Sequence, residues 1–214
     1  MGEMSQLAKQ DGYIVGMAPA ESYMDPSTSE FDYNLLHNYP EWTELQPNFN
    51  YHGRNIYSYL YSQYRTTTSG EDTFDFISFQ LYEGYSHAVY NISILGTQPS
   101  LYLQSFVEMV LKGWDIATFS SSSISVHVPR THLVVGLANG WADGNKFLLV
   151  WPEELVAGYE SLKAAGIHPR GFMFWNIADE GINAVDKSGV SRPFWMARGL
   201  NSFLHTRTQY SSHN

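Results

Sequence analysis

The sequence predicts an α/β fold with about four parallel strands and helices on their outer side. Two observations carry this reading. Four short apolar runs recur along the chain, at residues 13–18, 76–82, 133–137 and 171–177, each rich in β-branched or aromatic residues and without clean polar alternation. Such runs suit strands buried on both faces, the usual state of a strand in a parallel sheet. Helical patterns lie between and after them, and strand–helix repetition of this kind argues for parallel β/α architecture.

In chain order, a short helix over 4–9 precedes the first run. A long stretch, 21–69, follows it, rich in Tyr, Asn, Pro and Ser. It is too long for an idle connection and is expected to hold a helix at 55–64 and an extended functional loop. After the second run, residues 100–112 (SLYLQSFVEMVLK) place Leu103, Phe106, Val107 and Val110 on one helical face, behind Pro99 and ahead of Gly113. The third run leads to 152–165 (PEELVAGYESLKAA), with Pro152 in the first turn, two early glutamates and Gly166 as a stop. A last helix, 194–206, follows the fourth run and Arg192-Pro193. Neither an internal repeat nor a low-complexity linker is visible, so residues 1–214 read as one domain.

Composition narrows the function. The formal charge of −9, from 12 basic and 21 acidic residues, shows no basic stripe, which argues against a nucleic-acid partner. No apolar run approaches the roughly 20 residues that span a bilayer, so no membrane segment is expected. The first ten residues lack the pattern of a signal peptide. With no cysteine, disulfides, thiol catalysis and thiolate metal sites fall together. The 8 histidines are scattered without ligand spacing, and neither Gly-x-Ser-x-Gly nor a glycine-rich phosphate loop occurs, so no metal and no cofactor are expected. Aromatics are dense: 15 Tyr, 12 Phe and 6 Trp, residues that fill cores and also carry sugar rings. Asn91-Ile92-Ser93 is a glycosylation sequon.

The four runs also carry a resemblance. Residues 13–24 read YIVGMAPAESYM, 74–85 read FDFISFQLYEGY, 132–140 read HLVVGLANG and 171–177 read GFMFWNI. In order and spacing they resemble strands five to eight of the (β/α)₈ barrel of glycoside hydrolase family 18, the chitinase-type enzymes. The likeness covers about residues 10–205. It implies a partial TIM barrel, the C-terminal half, whose N-terminal half or a second half-barrel would be the partner. It further implies chitin or an N-acetylglucosamine oligosaccharide as ligand, and a secreted or extracellular location.

In that family the substrate's acetamido group attacks its own anomeric carbon, an exception to the two-carboxylate scheme. Residues at the C-terminal ends of barrel strands face the active site. The resemblance therefore implies that Tyr82 is the catalytic residue here, donating its hydroxyl to the acetamido carbonyl. Trp175 would offer a ring face to the sugar, with Gln80 and Glu83 as polar neighbours and Met17 and Trp141 as further substrate contacts.

The departures are as informative. The family's acid ends an Asp-x-x-Asp-x-Asp-x-Glu motif on strand four, and no such spacing occurs in the 214 residues. Ala20 stands where the fifth-strand motif has Glu, and Glu83 replaces the usual Asn or Asp after the tyrosine. Two readings follow: a chitinase-like hydrolase domain whose general acid lies outside this chain, and a non-catalytic, lectin-like binder of amino-sugar chains.

Overall fold

A computed structural model of the chain describes residues 1–32, 55–84, 86–118, 122–144, 146–181 and 184–205. Helix α1 (Gly2–Gln10) leads into the two-residue strand β1 (Gly16–Met17), and a 3₁₀ turn (Glu21–Tyr23) follows. Of the expected 21–69 insertion, residues 33–54 lie outside the described residues; its helix is present as α2 (Ile56–Tyr64). Strand β2 (Phe76–Gln80) is followed by α3 (His87–Val89), which continues as a π-helical turn (Tyr90–Ile94), and by α4 (Pro99–Lys112). Then come β3 (Trp114–Ala117), β4 (Ser123–Val126), β5 (Leu133–Ala138), α5 (Val156–Ala164), β6 (Gly171–Trp175) and α6 (Trp195–Leu204).

The main sheet has four strands in the order β1-β2-β5-β6, and every pairing is parallel. All four strands fall on the sequence-predicted runs; β1, β2 and β6 are shorter than predicted, and β5 runs one residue longer. Two local expectations need correction. The segment 152–165 is not one helix: a 3₁₀ turn (Pro152–Glu154) precedes α5, and the Glu154 side chain accepts the Trp151 backbone N–H at 2.9 Å. The second correction is an antiparallel hairpin of β3 and β4, packed beside α2, that the sequence reading missed.

Strand pleating divides the side chains cleanly. Ile77 and Phe79 of β2 and Leu133, Val135 and Leu137 of β5 are buried and face the helices. Phe79 meets Phe106 of α4 edge-on at 5.4 Å, and Phe172 of β6 packs against Tyr159 and Phe203 of α5 and α6. Each such buried side chain contributes about 1.5–3 kcal/mol by area removed from water. The opposite face carries Ser78 and Gln80, Val134, Gly136 and Ala138, Met173 and Trp175. Gly136 has no room for a side chain there, because a Cβ would lie 2.8 Å from the Phe79 carbonyl oxygen and 3.2 Å from the Met173 sulfur. This is the face that a barrel would turn inward. Its β6 members are half-buried or exposed, and β1 and β6 each leave one edge without a strand partner among the described residues.

Candidate active site

The C-terminal ends of β2, β5 and β6 lie side by side, in register through Gln80–Gly136 and Ala138–Trp175. Trp175, the last residue of β6, is 57% exposed. Tyr82, two residues beyond β2 and in phase with Gln80, is only 4% exposed. Trp141, in the turn after β5, joins the two. Tyr82 meets the Trp141 ring edge-on at 5.9 Å, and the Trp141 indole N–H donates to the Trp175 carbonyl. Phe147 also packs on Trp141, with ring centroids 5.0 Å apart, and the Tyr82 carbonyl accepts the Leu148 N–H at 3.0 Å. Burial, with the Glu83 charge adding, pushes the Tyr82 hydroxyl up to about 12, so it stays a hydrogen-bond donor across the neutral range.

The backbone that carries Trp175 is held from behind. The side-chain amide of Asn139 pairs with the backbone of Asn176 like a strand neighbour: Oδ1 accepts the Asn176 N–H at 2.8 Å and Nδ2 donates to its carbonyl at 2.7 Å. The Asn139 N–H also donates to the Trp175 carbonyl, at 3.3 Å. The Trp175–Asn176 peptide bond is cis. Asn139 Nδ2 reaches further to Glu180 Oε1 at 3.1 Å. Glu180 is wholly buried, and its other oxygen accepts the Met196 and Ala197 N–H groups at 3.1 and 3.2 Å, at the first turn of α6. A carboxylate belongs there, where unpaired N–H groups and the helix dipole converge. Phe194, held at φ 60° just before the helix, gives its N–H to the Glu180 carbonyl at 2.8 Å.

Of the expected site residues, Tyr82, Trp141 and Trp175 are therefore brought together, with Gln80 on the same face of β2. The Gln80 backbone is tied to the β1 connection, its N–H donating to Pro19 at 2.8 Å. Glu83 is half-buried, and burial raises its carboxyl above the usual range. Met17, expected among the substrate contacts, takes the other face: it pairs in register with Ile77 and is buried in the helix-side core, because one residue of shift along a strand reverses the side. Asn139 and Asn176 were not singled out; the Asn-Gly pair at 139–140, closing the third run, is the one local sign of the first.

A second buried polar cluster, also unforeseen, lies behind β1 and β2. Glu21, 1% exposed, accepts the Tyr102 hydroxyl on one oxygen and the Ala88 N–H at 3.0 Å on the other. Beside it, buried Asp25 pairs with His87 at 2.7 Å and accepts the Ser27 hydroxyl at 2.6 Å. Burial is the main reason Glu21 rises to about 7, against the opposing pull of His87 and its hydrogen bonds. For His87 burial pushes downward, and the hydrogen bond and charge of Asp25, with Glu21, outweigh it and raise the ring. Among the described residues no group of three or more His, Asp or Glu side chains is arranged to hold a metal ion. No described helix is long and apolar enough to cross a membrane.

With the geometry in place, the chain can be set against known proteins. No family model matches it, and no curated protein does. Among solved structures, a family GH18 chitinase from Chromobacterium violaceum superposes with a TM-score of 0.54 at 18% identity, over 94% of this chain and 48% of that one. The fold is chitinase-like. At that identity the likeness is one of fold alone, and the chain spans about half the length of the chitinase it matches.

Proposed function

We propose that this chain is the sugar-holding half of a chitinase-type (β/α)₈ barrel, acting on β-1,4-linked N-acetylglucosamine polymers. The observation that carries the reading is the exposed Trp175 indole at the end of β6, on a backbone held by Asn139 and by the indole N–H of Trp141, against which Tyr82 packs. A large apolar ring left in water at a strand end, on a backbone held by side-chain hydrogen bonds, suits a platform for the C–H face of a sugar. In this reading the acetamido oxygen of the bound sugar attacks its own anomeric carbon. The Tyr82 hydroxyl, kept protonated by burial, orients that group. The leaving oxygen takes its proton from an acid on a complementary half-barrel, which also covers the inner face and the two strand edges.

The alternative, binding without cleavage, is favoured by one observation. Glu180, a carboxylate close to the mouth, is consumed in holding α6 and Asn139 and has no free oxygen to protonate a leaving group. Titrating the chain with N-acetylglucosamine trimer, alone and with the complementary half, tests the shared part of both readings. Trp175→Ala should weaken binding about tenfold with the fold intact. Unchanged binding, or unfolding, would count against a sugar platform. Turnover that appears only with the complementary half separates hydrolase from binder.

A further inference from the structure

We propose a second saccharide site, apart from the mouth, in the cleft between the start of α5 and the start of α6. The cleft encloses about 620 Å³, within the range of small-molecule sites. Its walls are Trp151, Glu153, the turn 186–188, Arg192, Trp195, Arg198 and Gly199. The turn is stiff: Asp186 Oδ1 accepts the Ser188 N–H, the Ser188 hydroxyl and the Val190 N–H, and Oδ2 pairs with Arg192. Lys187 is bound to Glu154 at 2.6 Å. Two of the three cations are thus neutralised by their own partners.

What remains unspent defines the ligand. Arg198 is exposed at the edge of the cleft and makes no hydrogen bond or ion pair among the described residues. Glu153 likewise has no hydrogen-bonded partner, acting only through its charge on Lys187. Trp195 is buried against Trp151 at 4.4 Å, and its indole N–H has no acceptor. Buried donors in native proteins are normally satisfied, so the idle Trp195 N–H beside a cleft asks for a partner. A guanidinium fork, one free carboxylate and an indole wall together match a neutral sugar. Adjacent hydroxyls accept from Arg198 and donate to Glu153, while ring C–H groups lie on Trp151. A net anion is disfavoured, because the free charges, one positive and one negative, cancel. The site does not depend on the function proposed for the mouth, although Glu180 anchors both: it holds Asn139 behind Trp175 and the first turn of α6, which carries Trp195 and Arg198.

The test uses the full chain, with N-acetylglucosamine trimer and glucose trimer as probes, followed by calorimetry and tryptophan fluorescence. Trp175→Ala protein should still bind a trimer saturably, and adding Arg198→Met or Glu153→Gln to it should weaken that binding about tenfold with an unchanged circular dichroism spectrum. Loss of all binding on Trp175→Ala alone would assign every sugar contact to the mouth and overturn the second site. So would saturable binding that neither Arg198→Met nor Glu153→Gln alters, or tighter binding of glucuronate than of either trimer.

Discussion

Two buried glutamates sit near the strand ends, and their surroundings could hardly differ more. Glu180 is ringed by N–H donors, two from the first turn of α6 and one from Asn139, and no second carboxylate takes part in that network. Glu21 has one hydroxyl and one N–H, and shares its pocket with Asp25 and His87. The first serves as a structural pin. The second holds its proton more tightly than an exposed carboxyl does and is pushed to about 7. The lesson is that a carboxylate after a parallel strand cannot be taken for a catalytic acid by position. What its oxygens already accept decides the matter.

Several experiments would break or sharpen this contrast. The largest effect is expected from Glu180→Ala, which removes the buried acceptor of three N–H donors and should cost about 3 kcal/mol in a denaturant titration. A loss below about 1 kcal/mol would mean the network is not a pin. The pH dependence comes next. Glu21 binds a proton more tightly folded than unfolded, so its contribution is fully present below pH 4.5 and lost as pH rises through about 7. His87, also raised, acts in the same direction, its contribution fading above pH 6.5. Stability should therefore fall between pH 5 and 8 by an amount on the order of 3 kcal/mol. Glu21→Gln should flatten the slope and stabilise the protein at pH 8, and a slope unchanged in that variant would refute the assignment.

Smaller effects concern the mouth. Tyr82→Phe should leave the folding midpoint within a few degrees of the parent, because the ring keeps its edge contact with Trp141. It should still weaken binding of N-acetylglucosamine trimer several-fold if the hydroxyl meets the acetamido group. The smallest effect expected is none: the chain by itself should not hydrolyse chitin oligosaccharides, and Glu83→Gln should change nothing. Turnover that Glu83→Gln abolishes would identify a relocated acid.

The sheet was legible because its strands are β-branched and aromatic runs closed by small or polar residues, a signal local to each run. That Tyr82, Trp175 and Trp141 share one end of the sheet was legible because they stand at or near run ends. The β3–β4 hairpin was missed although Trp114, Asp115, Ile116 and Ala117 alternate strictly between buried and exposed. Four consecutive serines, Ser120 to Ser123, hide its second strand behind loop composition. Met17 was placed on the wrong face because nothing local settles the parity of a two-residue strand. The Glu21 cluster could not be read at all. Its partners lie 67 and 81 positions away, at Ala88 and Tyr102, and only the folded chain brings them together.

The Trp141 N–H and the Asn139 N–H both close on the carbonyl of Trp175, and neither touches its ring. The fold thus specifies a seat at position 175 more tightly than it specifies the occupant. In a saturation library scored for folded protein, position 175 should tolerate Phe, Tyr, His and even Leu, while positions 139, 141 and 180 should accept almost nothing. Evolution can then exchange the contact surface at that seat, and with it the preferred sugar, without renegotiating the architecture that holds it.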